Sequence, residues 1–242
     1  MKINLLLLAG MMLMGISCKK APNSAKEEPV TPVFIKGADI GWLPQMEATG
    51  YKFYNKDGKE EDCLKILKSY GINAVRLRTW VDPSDNPQSG HCSRDETVAM
   101  AVRAKKEGMQ VMINFHYSDS WADPAKQVKP KAWVNLSFIE LKKALYDYTF
   151  DVMTALKNAG IQPEWVQVGN EITPGLLLPE GNADTNFSQL VELLNQGYDA
   201  VEAVSPDSKV ILHVDQGNNN KRFRWWFDNA EKYKARYDII GM

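Results

Sequence analysis

Cysteine, histidine and any excess of one charge are all scarce in this chain. Three cysteines and three histidines among 242 residues exclude a disulfide framework, and neither a CxxC pair nor a Cys/His cluster with zinc-ligand spacing occurs. Twenty-nine basic residues against 30 acidic ones leave a net charge of −1, so nothing draws the chain to nucleic acid or an acidic polymer. Phosphate-cradling glycine motifs are missing too: GxGxxG and GxxxxGK[ST] are both absent, which argues against nucleotide-binding folds. What is present is a hydrophobic share of 44% with 10% aromatic residues, enough for one large core and incompatible with disorder or collagen.

The longest apolar run, Leu5 to Met14, falls short of the about 20 residues that span a bilayer, so it reads as a signal peptide over residues 1–17. It ends in Gly15-Ile16-Ser17-Cys18, which resembles a bacterial lipoprotein signal in which Cys18 is lipidated and becomes the new N-terminus. Plain secretion is the alternative. Residues 18–32, with three prolines and a Lys-Glu-Glu run, cannot bury apolar surface and form a tether. The expected product is exported and held at the cell envelope by a lipid anchor. Cys63 and Cys92 remain for the folded part; an oxidising location permits a bridge between them, and two free thiols fit equally well.

From Val33 to Met242, short apolar runs alternate with stretches of helical period. Expected strands are Phe34–Ile40, Ala74–Arg78, Val111–His116, Trp165–Gly169, Lys209–Asp215 and Tyr237–Gly241; expected helices are Glu61–Tyr70, Arg94–Glu107, Phe138–Ala159, Phe187–Val204 and Lys221–Lys234. Gly71, Gly108 and Gly160 supply left-handed helix stops. Strict alternation implies a parallel sheet, either doubly wound or a barrel. A barrel also predicts polar groups at the C-terminal strand ends, where its active site is built. Arg76 with Arg78, His116, Asn170 with Glu171, and His213 with Asp215 stand at successive strand ends. Any one of them could be an ordinary ion pair or cap; as a set they point to function, because buried charge costs unless it is paired.

Asn170-Glu171 places a carboxylic acid just past a strand, next to an amide. Glycosidic bond hydrolysis needs an acid to protonate the leaving oxygen, and a neighbouring amide can bond the sugar 2-OH. In strand parity Arg76 and Arg78 share a face, as do Asn114 and His116, so Arg78 and His116 are expected to converge on the site and tune the carboxylate's charge. Sugar sites combine flat aromatics with a polar rim: Trp42, Trp80 and Trp121 offer the first, and Asp39, Asp119, Asp123 and Asn218 the second, with Arg78 and His213 as further substrate contacts. Trp165, inside a strand, reads as core. His116, Asp119 and Asp123 do not make a metal site, since the loop lacks an EF-hand pattern and histidine is a poor calcium ligand.

Four segments, Gly37-Ala-Asp-Ile40, Gly71 to Pro83, His116-Tyr-Ser-Asp-Ser-Trp-Ala-Asp-Pro124 and Val168-Gly-Asn-Glu-Ile-Thr-Pro-Gly175, together resemble glycoside hydrolase family 53, the endo-β-1,4-galactanases that cut type I arabinogalactan. The resemblance covers nearly all of Val33 to Met242. It implies a (β/α)8 TIM barrel and a retaining mechanism with glutamates on barrel strands four and seven. Carried onto this sequence, it makes Glu171 the acid/base, Asn170 its 2-OH-binding neighbour, Arg76 the strand-two arginine and His116 the strand-three histidine. It also implies a monomer acting on β-1,4-galactan, with no cofactor required and calcium possible only beyond the end of the chain.

The barrel domain, residues 33–242, holds about six of eight β/α units and ends inside strand six, so no residue matches the strand-seven nucleophile. Asp215 reads as a substrate or structural group instead. The 242 residues alone are therefore expected to be inactive. Two competing readings are a retaining glycanase for another β-1,4-polysaccharide and a non-catalytic galactan-binding surface lipoprotein.

Overall fold

Runs such as Val-Gln-Val and Val-Ile-Leu favour strands because β-branched and aliphatic side chains fit a pleated surface covered on both sides. In the computed structural model, which describes residues 34–84, 86 and 91–242, they become β1 (Gly37–Asp39), β2 (Ala74–Thr79), β3 (Gln110–Phe115), β4 (Trp165–Val168), β5 (Gly175–Leu176), β6 (Gly181–Asn182), β7 (Lys209–His213) and β8 (Ile239–Gly241). The expected signal peptide, the lipidation expected at Cys18 and the expected tether lie outside the described residues. Six strands form one parallel sheet in the order β1-β2-β3-β4-β7-β8, curled as part of a (β/α)8 barrel. Its register sets Asp39 beside Arg76 and Asn114 beside both Arg78 and Gln167. The polar residues thus fall in rows across the sheet.

The helices are α1 (Leu43–Ala48), α2 (Cys63–Ser69), α3 (Arg94–Lys106), α4 (Phe138–Asn158), α5 (Phe187–Val204) and α6 (Asn220–Lys232). Ser93 and Ser137 each close a capping box, with Glu96 and Glu140, at the start of α3 and α4. Gly71, Gly108 and Gly160 take positive φ directly after the caps of α2, α3 and α4, as expected. Leu64, Ala101, Leu145, Leu156 and Leu194 are fully buried against the strands. Burial at spacings of three and four along α4 and α5 matches the period that marked them as helices.

Three features depart from the sequence expectation. α1 is six residues long and opens on Pro44, too short for a helical period to register. The β5–β6 hairpin is antiparallel, two residues a strand. Trp165 is half-buried and lines an apolar cavity of about 370 Å³ with Met112, Ile211 and Ile239 on the inner face of the sheet. Cys63 and Cys92 are both free thiols, which selects the unbridged alternative. Among the described residues no helix is long and apolar enough to cross a membrane.

Gly197 sits where α5 crosses β4. A Cβ there would lie 2.6 Å from a Val168 methyl and 3.0 Å from the Tyr117 hydroxyl. Alanine gains about 1 kcal/mol of helix propensity over glycine, but overpacking a tight contact costs about 1–3 kcal/mol. Gly197→Ala is therefore expected to lower the melting temperature; a thermal melt showing a rise would contradict this packing.

Candidate active site

The site is organised around Arg76, planted midway along β2. Its Nη1 donates to Asp39 Oδ2 at 2.7 Å, its Nε and Nη2 to Gln167 Oε1 at 3.2 and 3.1 Å, and Nη2 also to Asn170 Oδ1 at 2.6 Å. Gln167 is buried in β4, and its Nε2 donates to Asn114 Oδ1 at 2.7 Å and to the Gly169 carbonyl at 2.8 Å. Asn170 donates its Nδ2 to the Ala122 carbonyl at 2.8 Å. Each amide is thereby held with its oxygen toward one neighbour and its nitrogen toward another.

Glu171 follows Asn170 with a left-handed backbone, φ 51°. Its carboxyl opens on a cleft of about 380 Å³ that Asp39, Trp42, Arg78, Trp121, Asp123 and His213 also line. Burial raises its pKa above the ordinary carboxylate value, the charges of Asp215 and Asp123 add to the rise, and Arg76 opposes them. A raised carboxyl keeps its proton for donation, as an acid catalyst requires. A larger cavity of about 590 Å³ lies beside His91, Arg94 and Asp151, but Arg76, Asn170, Glu171 and His213 do not line it.

The aromatic wall is built on Arg78, whose guanidinium lies 4.2 Å from the Trp121 ring, 5.3 Å from Trp42 and 5.4 Å from Trp80. Such cation–π contacts partly replace hydration, and they matter because Arg78 is buried with Nε and Nη2 unpartnered among the described residues. Trp42 and Trp121 stay 51% and 36% exposed, whereas Trp80 is 3% exposed. Trp80 therefore backs the wall from behind and does not face the cleft, contrary to its expected role as a sugar contact.

His116 also differs from expectation. It is buried, its Nδ1 accepts from the Ala122 N–H at 3.0 Å, and Nε2 lies 3.0 Å from the Asn114 amide. Burial, then the charges of Arg76, Arg78 and His213, push its pKa down to about 3, so it is neutral and adds no charge at Glu171; the nearby cation acting there is Arg76. Asp119 accepts from the Asp82 N–H at 3.1 Å and the Lys131 N–H at 2.8 Å, a staple between loops outside the cleft. Asp123 lines the cleft while accepting from the Ala125 N–H at 2.8 Å. Asn218 is exposed on the loop after β7, away from the cleft lining.

Two residues central to the geometry were not among those expected from the sequence. Gln167 is the hub described above. Gln127, buried in the loop after β3, donates its Nε2 to the Asn170 carbonyl at 2.8 Å and the Glu171 carbonyl at 3.3 Å. For Gln167 a signal existed, a polar residue inside the apolar run Trp165–Val168; Gln127 sits in a polar loop where nothing singles it out. Among the described residues no group of three or more His, Cys, Asp or Glu side chains could hold a metal ion.

The raised pKa of Glu171 has a consequence for stability. A folded-state pKa above the unfolded value means that the carboxyl favours folding fully below the ordinary value of 4.5 and loses that contribution as pH rises through the folded pKa. Glu171→Gln is expected to melt higher than the parent at neutral pH, the gap shrinking toward pH 4. A gap that widened on acidification would show the opposite shift.

Comparison with known proteins agrees with this architecture. The chain is 38% identical over 220 residues to an endo-beta-1,4-galactanase of Bacillus subtilis, covering 89% of this chain and 50% of that protein. Against an arabinogalactan endo-beta-1,4-galactanase of Thermothelomyces thermophilus it is 38% identical over 213 residues, 86% of this chain and 62% of that one. A glycoside hydrolase family 53 catalytic domain from Ignisphaera aggregans superposes with a TM-score of 0.81 at 39% identity, covering 88% of this chain and 60% of that domain. The chain thus spans about half to three fifths of the length of these relatives. The pattern of glycosyl hydrolase family 53 matches residues 35–242, and the chain belongs to that family.

Proposed function

We propose that the protein containing this chain is an endo-acting glycosidase that cleaves β-1,4-galactosidic bonds of type I arabinogalactan and pectic galactan with retention of configuration. The observation that carries the proposal is Glu171, a carboxyl of raised pKa at the end of β4 in a cleft walled by Trp42 and Trp121. The galactanase names of the relatives support the choice of glycan. Glu171 protonates the glycosidic oxygen as the bond to the anomeric carbon breaks and a second carboxylate bonds to that carbon; it then takes a proton from the water that displaces this carboxylate and releases the sugar. Asn170, fixed by Arg76 and Ala122, keeps its second amide hydrogen for the sugar 2-OH. Trp42 and Trp121 receive the apolar C–H face of the galactose rings, with Asp39, Asp123 and Arg78 beside the hydroxyls.

Retention requires a second carboxylate about 5–5.5 Å from the first. The described residues include no seventh barrel strand, so residues 34–242 supply the protonating half of this chemistry and the sugar-binding wall. The reaction needs no cofactor, because both steps are proton transfer and displacement at carbon. Export and envelope attachment through Cys18 belong to the same proposal, supported by the apolar run Leu5 to Met14 and the small residues before Cys18; the anchor would hold the enzyme where polymeric galactan arrives.

In the whole protein, Glu171→Gln is expected to cut galactan hydrolysis by about 10²–10⁴-fold, the usual worth of a general acid; reducing-sugar assays that found no loss would end the assignment. Galactan should also be bound in preference to xylan, mannan and cellulose in affinity electrophoresis, and equal retardation by all four would remove the specificity claim. Cys18→Ser should release the protein from the membrane fraction; retention there by the variant would rule out the lipid anchor.

A further inference from the structure

Glu171 is held in a backbone conformation that a glutamate disfavours. Its φ of 51° lies in the left-handed region, where a non-glycine residue costs about 1–3 kcal/mol and persists only if its surroundings hold it. Three contacts do so. The Glu171 N–H donates to His213 Nδ1 at 3.2 Å, its carbonyl accepts from Gln127 Nε2 at 3.3 Å, and the next residue, Ile172, donates its N–H to the His213 carbonyl at 2.9 Å. His213 therefore engages this turn twice, once through its ring and once through its backbone.

We propose that His213 is a positioning residue for the acid/base, its Nδ1 lone pair clamping the left-handed backbone of Glu171 and leaving the Nε2–H edge toward the cleft. A backbone N–H only donates, so Nδ1 must accept and the ring proton must sit on Nε2. The other neighbours agree. Gln167 Nε2, a donor, lies 3.4 Å from Nδ1. Asn170 Oδ1 is 3.3 Å away, but it is already committed to Arg76 at 2.6 Å. A charged ring is disfavoured as well: burial, then the charge of Arg76, lowers the His213 pKa to about 4 against the opposing pull of Asp215, so the lone pair is free at neutral pH. Among the described residues Nε2 has no protein partner in this arrangement, which leaves it available at the cleft wall.

The role of Glu171 as the acid rests on the function proposed above, but the clamp is testable separately. In the parent chain, long-range ¹⁵N–¹H spectra of the imidazole are expected to show Nδ1 unprotonated and Nε2 protonated at neutral pH; a proton on Nδ1 overturns the proposal without any mutation. Three variants then separate a clamp from a sugar contact. Asparagine can set an amide oxygen where Nδ1 stood, glutamine sets its polar end near Nε2, and phenylalanine keeps only the ring shape. Exchange of the Glu171 amide hydrogen is expected to quicken about fivefold or more in His213→Phe and His213→Gln, the worth of one hydrogen bond, and to stay near the parent rate in His213→Asn. In the whole protein, kcat on galactan should fall in the first two with KM little changed and recover in His213→Asn. The reverse order, recovery by glutamine and loss with asparagine mainly in KM, would make His213 a substrate contact and refute the clamp. A Glu171→Gln variant that kept full hydrolysis would instead refute the acid assignment and leave the clamp intact.

Discussion

A guanidinium planted inside a parallel sheet must be solvated by protein, and the solvation of Arg76 fixes the rest of the site. Removing a charge from water costs several kcal/mol unless its donors are met. Asp39 meets them from β1, and Gln167 and Asn170 from β4 and the turn just after it. Meeting them spends the oxygens of both amides, so each nitrogen has to find an acceptor elsewhere: Asn114 and Gly169 for Gln167, Ala122 for Asn170. One cation thus orients a chain of amides and ties the loop after β3 to the end of β4. A fully bonded network of this kind is rigid because breaking any link strands a buried polar atom.

The same cation shapes the titration of its neighbours. Burial first, and then this cation, depress both His116 and His213, so the two imidazoles are neutral hydrogen-bonding groups and the site carries less positive charge than its composition suggests. At Glu171 it acts against desolvation and against Asp215 and Asp123, and those win. The balance leaves one carboxyl of the cleft with a raised proton affinity. A raised proton affinity is how a pocket holds a carboxyl in its protonated form.

The sheet, its strand order and the strand-end residues were legible because they follow from periodicity and position. A buried strand cannot hide an arginine, and Arg76, Asn170 and Glu171 stood out for that reason. The side chains that aim them did not. Gln167 is an amide in a short strand, and whether it is a hub or a solvated face depends on partners 53 and 91 residues away in sequence. Trp42 and Trp80 look alike in sequence, yet one is exposed and the other buried, because the packing of Arg78 against three rings decides which faces water. Asp119 was legible as polar and loop-borne, but its two backbone bonds arise only once the loops have met.

The Asn170-Glu171 dipeptide makes sense only with its backbone. Consecutive residues of a strand point to opposite faces, so in an unbroken β4 one of the two would face the cleft and the other the helices. Both line the cleft. Gly169 at φ 84° and Glu171 at φ 51° break the alternation, turning the acid back beside the amide as the strand leaves the sheet. A glycine takes the first left-handed position without penalty, and here a Cβ on Gly169 would also meet Ile172 at 2.6 Å. At the second position stands a glutamate, so the cost remains, and it is offset by hydrogen bonds from β7 on one side and the loop after β3 on the other. Glu171 is therefore presented by three separate segments of the barrel.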